Sequence, residues 1–223
     1  MKQRLFVLLS ICLLGLAGCA KDNVSNQKVE NESETAIAKT DHKVLIAYFS
    51  VPETNEDSGV DTVGSASIVL KDGKVKGNME YMAEIIQRET NGDLFEIIPV
   101  QSYPINHDQL VDQAAEEQDN QLRPELASQV KNIEQYDVIF VGYPNWWADL
   151  PMPLYTFLEE YDLSGKTIIP FTSHGGSGLS NTINEIQNIQ SNATVIEHGL
   201  SISRNDVSDS DNEIITWLNE LGF

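Results

Sequence analysis

The sequence predicts an α/β domain in which a mostly parallel sheet carries helices on both faces. Apolar runs at residues 44–49, 138–141 and 166–171 are rich in β-branched or aromatic residues, as is typical of strands buried on both sides. Helix-like segments separate these runs, and such alternation is characteristic of a parallel sheet. Each strand also leads into a segment rich in hydroxyls, glycine or aromatic residues. We therefore expect three polar or aromatic loops at the carboxyl edge of the sheet, where open α/β folds bind ligands.

The same patterns predict the remaining elements. Shorter runs bounded by turn residues predict further strands, at residues 67–70, 74–76, 94–100 and 194–197. A first helix should bury Met79, Met82, Ala83 and Ile86 on one face. Apolar positions at helical spacing predict later helices, at residues 107–120, 124–133, 154–160 and 180–189. Ser210 and Glu213 have the spacing of a capping box, which would start a last helix burying Ile214, Trp217, Leu218 and Leu221.

The segment after the second long strand carries two adjacent tryptophans. Gly142 and Pro144 should end that strand, so that Trp146 and Trp147 lie in a loop. Tryptophans at this edge offer a flat apolar surface to a planar ligand. The alternative is that they only cover the edge of the sheet.

The other two loops have complementary chemistry. Ser50 ends the first strand, and residues 172–178 read Thr-Ser-His-Gly-Gly-Ser-Gly after the third. Glycines let a ring approach the backbone closely, and a hydroxyl beside a helix N-terminus suits a phosphate group.

These motifs together resemble the flavodoxin family over residues 42–223. The resemblance is carried by Tyr48-Phe49-Ser50, Gly77-Asn78, the Gly142–Trp147 segment and the 172–178 loop. It implies a doubly wound, five-stranded parallel sheet of strand order 2-1-3-4-5 and one noncovalently bound FMN.

The resemblance also implies a set of FMN-binding residues. Ser50 and Asn78 would bind the phosphate, and Met79 would contribute its backbone N–H. The remaining candidates lie in the aromatic loop (Pro144, Asn145, Trp146, Trp147 and Ala148) and in the glycine-rich loop (Thr172, Ser173, Gly175, Gly176 and Gly178).

The first loop departs from the family pattern Ser-x-x-Gly-Asn-Thr. An insertion at residues 55–76 separates Ser50 from Gly77-Asn78, and Met79 stands where the pattern has threonine. The lost hydroxyl would weaken the phosphate site by about 1 kcal/mol unless Thr54 or Ser58 replaces it.

His174 is the candidate proton donor of the glycine-rich loop. It could pass a proton to reduced flavin or to a quinone, or it could be a loop residue that hydrogen-bonds a carbonyl. The other histidines have no partner at metal-ligand spacing, so no metal site is predicted.

Three lysines, Lys71, Lys74 and Lys76, cluster in the predicted hairpin. They could attract a phosphorylated reductant or an acidic partner, but such a cluster is more often a solvated hairpin.

Composition excludes some functions. The formal net charge of −20 argues against nucleic-acid binding, which needs a basic surface. The two cysteines are Cys12 and Cys19, so the predicted domain has no disulfide framework and no thiolate metal site.

The amino terminus resembles a bacterial lipoprotein signal. A positive n-region and an apolar stretch precede Leu16-Ala17-Gly18-Cys19, which predicts a signal peptide at residues 1–18 and acylation of Cys19. Residues 19–41 would then form a lipidated, polar tether, whose last 22 residues span roughly 25 Å as a random coil. An ordinary secretory signal is the alternative.

Three functions are compatible with these features. The first is electron transfer by an FMN-bound domain at the outer side of the cytoplasmic membrane, with a redox protein or a membrane quinone as partner. The second is a flavin-dependent NAD(P)H:quinone-type reductase, which the long first loop and paired tryptophans favour. No Gly-x-Gly-x-x-Gly fingerprint follows a strand, which favours the first. The third is a flavin-free binding lipoprotein on the same fold.

Overall fold

The computed structural model describes residues 42–52, 67–71 and 73–223. These residues form eight strands, which are β1 (Val44–Tyr48), β2 (Ile68–Lys71), β3 (Lys74–Gly77), β4 (Asp93–Glu96), β5 (Val138–Pro144), β6 (Thr167–His174), β7 (Thr194–Val195) and β8 (Leu200–Ser203). They also form five α-helices, which are α1 (Asn78–Thr90), α2 (His107–Asp119), α3 (Met152–Glu160), α4 (Thr182–Ile189) and α5 (Asp211–Leu221).

The main sheet is parallel and has the order β4-β1-β5-β6-β7, with β8 also paired to β6. Apart from the β2–β3 hairpin, this is the predicted order 2-1-3-4-5, in which β1 lies between β4 and β5. The number of strands differs from the predicted five because the fifth position holds two short strands, β7 and β8. The α/β fold class is confirmed.

Pro170 offers the reason for this division. It lies in β6 between Ile168, the last residue paired with β7, and Phe171, the first paired with β8. Proline has no N–H to donate to a ladder, so the pairing stops and resumes beyond it. The chain returns to the edge of β6 at Gly199, where a β-carbon would lie 2.8 Å from the Pro170 carbonyl oxygen.

The strands predicted at residues 138–141 and 94–100 end elsewhere in the structure. The strand expected to stop at Gly142 continues to Pro144, because Gly142 packs under the Phe171 ring rather than opening a turn. A β-carbon at Gly142 would lie 2.2 Å from Phe171 Cζ. The strand expected at residues 94–100 is β4, which ends at Glu96.

The helix predicted at residues 124–133 is absent from the structure. Residues 125–127 are extended and pair with the chain beyond β4: the N–H of Val100 donates to Glu125 O, and that of Ala127 donates to Ile98 O. Asn132 then adopts a left-handed φ of 53° before a single 3-10 turn. Tertiary pairing thus overrides the apolar spacing that suggested a helix.

Side chains of β1 alternate between two cores, as expected of a strand buried on both faces. Val44, Ile46 and Tyr48 join α1 and α5. Leu45, Ala47 and Phe49 join a second core with α3 and with parts of α2 and α4. The predicted buried faces of α1 and α5 are confirmed, including Met79, Met82, Ile86, Trp217 and Leu221.

The β2–β3 hairpin is attached to the domain through its lysines. Lys71 Nζ donates to the Tyr81 hydroxyl at 2.8 Å and lies 3.6 Å from Asp211 Oδ1, while Lys76 pairs with Glu84 of α1. Two of the three clustered lysines therefore have structural partners.

The start of α5 differs from the predicted capping box. Ser210 Oγ donates to the Val207 carbonyl at 2.8 Å and does not cap the helix. Asp211 in the first turn instead accepts from Tyr81. That hydrogen bond holds the pKa of Asp211 below its ordinary value, and Lys71 adds to the effect.

Asp211→Asn should lower the free energy of unfolding at pH 7 by about 1 kcal/mol. Because the folded pKa is depressed, wild-type protein has this stability above the unfolded pKa of about 4 and loses it as pH falls through the folded value. The difference between variant and wild type should therefore shrink between pH 5 and pH 2 in urea titrations. Asp209→Asn, one turn earlier, is the control; an equal loss in both variants would contradict the role of the Tyr81 contact.

Within the described ranges no helix is long and apolar enough to cross a membrane. The same residues contain no group of three or more His, Cys, Asp or Glu side chains placed to hold a metal ion.

Candidate flavin site

The carboxyl ends of four neighbouring strands meet at one edge of the sheet. Strands β1, β5 and β6 are mutually parallel, so the three predicted loops lie together as expected. Strand β8 runs parallel to β6 and brings a fourth segment, which begins at Arg204, to the same edge.

A cavity of about 390 Å³ opens at this edge. Its size is within the range of small-molecule sites. The described residues that line it come from the aromatic segment (Pro144, Asn145, Trp146, Trp147 and Ala148), the glycine-rich segment (Ser173, His174, Gly175 and Ser177), helix α2 (His107, Leu110, Val111 and Ala114), and Ser67 and Arg204.

The aromatic segment is folded into a tight turn at its tip. Trp146 N–H donates to Asp149 O at 3.2 Å, and Asp149 N–H donates to Trp146 O at 3.0 Å. The two central residues, Trp147 and Ala148, both have positive φ, 52° and 63°, as a type I′ turn requires. Large side chains rarely adopt this conformation, and such strain is concentrated at functional sites.

Asp149 holds this turn in place. Its carboxylate accepts from the Leu150 N–H at 2.7 Å, the Tyr155 hydroxyl at 3.0 Å and Gln118 Nε2 of helix α2 at 3.1 Å. The strained turn is therefore anchored to two helices.

The two tryptophans have different environments. Trp146 is half-buried and meets Phe49 and Tyr103 edge to face, each with ring centroids 5.3 Å apart. Trp147 is 57% exposed, and its Nε1 donates to Val111 O at 3.2 Å. Trp146 thus forms part of the aromatic packing, whereas Trp147 has open ring surface at the cavity.

Asn145 joins the aromatic and glycine-rich segments. Its Nδ2 donates to Gly178 O at 2.7 Å and to Ser180 Oγ at 3.1 Å, and its backbone N–H donates to Ser173 O at 2.8 Å. Its Oδ1 is buried and has no hydrogen-bond partner among the described residues. A buried acceptor without a partner suggests that a ligand or water donates to it.

The glycine-rich segment starts later than predicted. Thr172 and Ser173 lie in β6 because β8 extends the pairing to His174. Thr172 is fully buried and its hydroxyl donates to Tyr143 O at 2.6 Å, which is a structural role. Gly176 and Gly178 have positive φ of 133° and 61°.

His174 lines the cavity but is also engaged within its loop. Its Nδ1 accepts from the Gly176 N–H at 2.9 Å. This leaves Nε2 as the nitrogen that can carry a proton in the neutral ring. The structure therefore shows a hydrogen bond from a backbone N–H rather than the expected bond to a carbonyl, and proton transfer stays a prediction.

A smaller cleft adjoins the cavity at the start of α1. Ser50, Ser67, Asn78, Met79 and Trp146 are among its lining residues. Ser50 packs so closely on the backbone of Gly77 that a β-carbon there would lie 2.1 Å from Ser50 Oγ. The predicted convergence of Ser50 and Asn78 across the insertion is thus present in the structure.

Asn78 is fully buried beside this cleft. Its Nδ2 donates to Arg204 O at 3.3 Å, whereas its Oδ1 has no partner among the described residues. Its backbone N–H donates to Ser67 O at 2.9 Å. The first turn of α1 adds the positive end of a helix dipole.

The family assignment rests on a sequence match. Residues 65–221, well over half of the chain, match a family model described as "Flavodoxin". The chain belongs to the flavodoxin family. No curated protein matches at the significance applied.

Solved structures resemble this flavodoxin-family protein over most of its length. A "putative flavoprotein" from Bacteroides eggerthii is 26% identical, with a TM-score of 0.60, and the alignment covers 82% of this chain and 99% of that one. One with the same description from Bacteroides uniformis is 24% identical, with a TM-score of 0.56 and coverage of 80% and 98%. A Lactobacillus acidophilus flavoprotein, solved in complex with FMN, is 20% identical, with a TM-score of 0.52 and coverage of 79% and 99%.

The chemistry of the site fits FMN. The small cleft offers a serine hydroxyl and a helix N-terminus, whose chemistry suits a phosphate, but it is too narrow here for a water-sized sphere and would have to widen to admit one. The partnerless oxygens of Asn78 and Asn145 suit the hydroxyl and N–H donors of the ribityl chain and ring. The larger cavity offers an exposed indole and glycine backbone to a planar ring.

Sequence reasoning missed Arg204 and the α2 wall of the cavity. Arg204 follows β8, which the pattern had not separated from β7. The alternation Leu-Ser-Ile-Ser at residues 200–203 was a usable strand signal. Three candidates, Thr54, Ser58 and Cys19, lie outside the described residues, as do the predicted signal peptide and tether.

Proposed function

We propose that this protein binds one FMN noncovalently and carries electrons at the outer side of the cytoplasmic membrane, to which acylated Cys19 anchors it. The observation that supports FMN binding is that the small cleft and the larger cavity, the two compartments of the site, adjoin at one edge of the sheet. Ser50 and Asn78 line the smaller, and Trp147 and the glycine-rich segment line the larger.

Each part of the site would have a separate binding task. Ser50 Oγ and the backbone N–H of Met79 would donate to the phosphate, since the Asn78 N–H already donates to Ser67 O. Asn78 Oδ1 and Asn145 Oδ1 would accept from ribityl or ring donors, and Trp147 would cover one face of the ring. When bound, FMN supplies the reversible uptake and release of electrons.

Electron transfer is favoured by the charge and the sequence. The net charge of −20 suits brief encounters with a cationic redox protein, through a small interface guided by complementary charge. A membrane quinone is the other candidate partner. No dinucleotide fingerprint follows a strand, so nothing marks a separate nicotinamide domain.

A visible spectrum and a flavin titration test the FMN proposal. Full-length protein purified in detergent should carry FMN, or bind added FMN with quenched flavin fluorescence. If neither FMN nor riboflavin binds, the flavin-free binding lipoprotein becomes the better proposal.

Replacing Cys19 tests the anchor. Wild-type protein should incorporate labelled fatty acid and fractionate with membranes, whereas Cys19→Ser should neither incorporate the label nor undergo lipoprotein-type cleavage. Incorporation into Cys19→Ser, or wild-type protein in the cytosol, would contradict the lipid anchor.

A quinone reductase is the second candidate, and the α2 wall of the cavity favours it. Leu110, Val111 and Ala114 give the cavity an apolar wall, which could hold a planar acceptor. Steady NAD(P)H oxidation that depends on an added quinone would favour the reductase. Flavin that stays oxidised with NAD(P)H but is reduced by a protein donor would favour the carrier.

A further inference from the structure

Arg204 is held between the two compartments of the site. Its backbone N–H donates to His174 O at 2.8 Å, and its carbonyl accepts from Asn78 Nδ2 at 3.3 Å. The residue thus connects the glycine-rich segment to the cleft at the start of α1, and its backbone position is fixed from both sides.

The side chain of Arg204 lies along the backbone of Gly175. A β-carbon built on Gly175 would be 3.6 Å from Arg204 Cζ and 3.8 Å from its Nε. Arg204 lines the larger cavity and is not among the residues that line the small cleft. Its guanidinium therefore faces the compartment suited to a ring rather than the one suited to a phosphate.

The charge of Arg204 contrasts with that of the protein. Among the described residues that line the larger cavity, Arg204 is the one permanently charged side chain. In a chain of net charge −20, this places a positive charge at the ring compartment of an otherwise acidic protein.

We propose that Arg204 sets the redox potential of the bound flavin by stabilising its reduced, anionic ring. This proposal rests on the proposed FMN binding. Two electrons and one proton convert the neutral oxidised ring into a ring with one negative charge, and a nearby guanidinium favours that form over the oxidised one. Arg204 would then strengthen the binding of reduced FMN more than the binding of oxidised FMN.

Arg204→Gln tests the proposal through the affinities of both redox states. Reduced FMN should bind about tenfold more weakly relative to oxidised FMN, which lowers the two-electron potential by about 30 mV. Arg204→Lys should recover part of the effect, because it keeps the charge but loses the planar group. Arg88→Gln is the matched control, since Arg88 lies in the last turn of α1, about 15 Å along the helix from Asn78.

The pH dependence of the potential gives a second readout. A plot of potential against pH changes slope where the reduced flavin ring loses its proton. If Arg204 favours the anionic ring, this change of slope should occur at a higher pH in Arg204→Gln than in wild type. His107 and His174 also face the cavity, so the same titration of His107→Gln and His174→Gln separates their contributions.

Three results would overturn the proposal. The first is an unchanged potential in Arg204→Gln. The second is an equal loss of affinity for oxidised and reduced FMN in Arg204→Gln, which would make Arg204 a positioning residue. The third is a loss of affinity for FMN that is absent for riboflavin, which would mean that Arg204 binds the phosphate. Failure of wild-type protein to bind flavin at all would instead contradict the proposed function.

Discussion

Replacing Trp147 with alanine should weaken FMN binding by about 1 kcal/mol or more, roughly fivefold, with little change in melting temperature. Trp147 is 57% exposed at the cavity, so its loss removes ring surface without opening a core. Loss of stacking should also raise the flavin potential, because a stacked indole disfavours the electron-rich reduced ring. Fluorescence titration and potentiometry of wild type and variant measure both effects.

Trp146→Ala should have the opposite profile. This side chain packs edge to face against Phe49 and Tyr103, so its removal leaves a gap in the second core and should cost about 3 kcal/mol of unfolding free energy. Trp146→Phe should keep much of that stability. Comparing unfolding with flavin affinity across the variants separates the two roles.

An absence of any effect on affinity in both single variants would make the paired tryptophans a structural lid. The ring would then have to lie on the glycine-rich segment alone. Tyr143 could not replace them, because it is fully buried and its hydroxyl donates to Thr182 Oγ1 at 2.7 Å.

Ser50→Ala should weaken FMN by roughly 1–2 kcal/mol and leave riboflavin affinity nearly unchanged. The reason is that Ser50 lines the small cleft beside the start of α1, and riboflavin lacks the phosphate proposed to sit there. Parallel titrations with the two flavins isolate the phosphate contribution.

Ser164→Ala provides the matched control for this measurement. Ser164 precedes β6 at the opposite edge of the sheet, where its hydroxyl donates to Asp162. It should affect neither flavin. An equal loss of FMN and riboflavin in Ser50→Ala would assign Ser50 to the ring or to the fold.

The sequence was sufficient to predict the site edge because buried parallel strands have an unambiguous signature. Val44–Tyr48 and Val138–Pro144 are apolar throughout or nearly so, and their carboxyl ends must lie on the same side. The convergence of Ser50 with Asn78 followed from the family resemblance and not from periodicity.

Features that depend on tertiary pairing were not predictable in this way. The apolar spacing at residues 124–133 is compatible with a helix, but pairing of residues 125–127 with residues 98–100 decides the conformation. The left-handed φ of Trp147 has no local signal, because neither tryptophan nor alanine favours that region. Arg204 was missed for a different reason, because the strand signal at residues 200–203 was not recognised as a strand separate from β7.

The hairpin that precedes α1 has a consequence for how the phosphate site is assembled. In the compact family pattern the serine and asparagine are four residues apart, whereas Ser50 and Asn78 are 28 residues apart. Closing the longer loop costs about 1.7 kcal/mol more in chain entropy, from the logarithmic dependence on loop length. The contacts of Lys71 and Lys76 with α1 and α5 offset this cost before any flavin arrives. If those contacts are weakened, FMN binding itself must supply more of the free energy that closes the loop. Substitutions at these lysines should therefore reduce FMN affinity, although neither lysine lines the site.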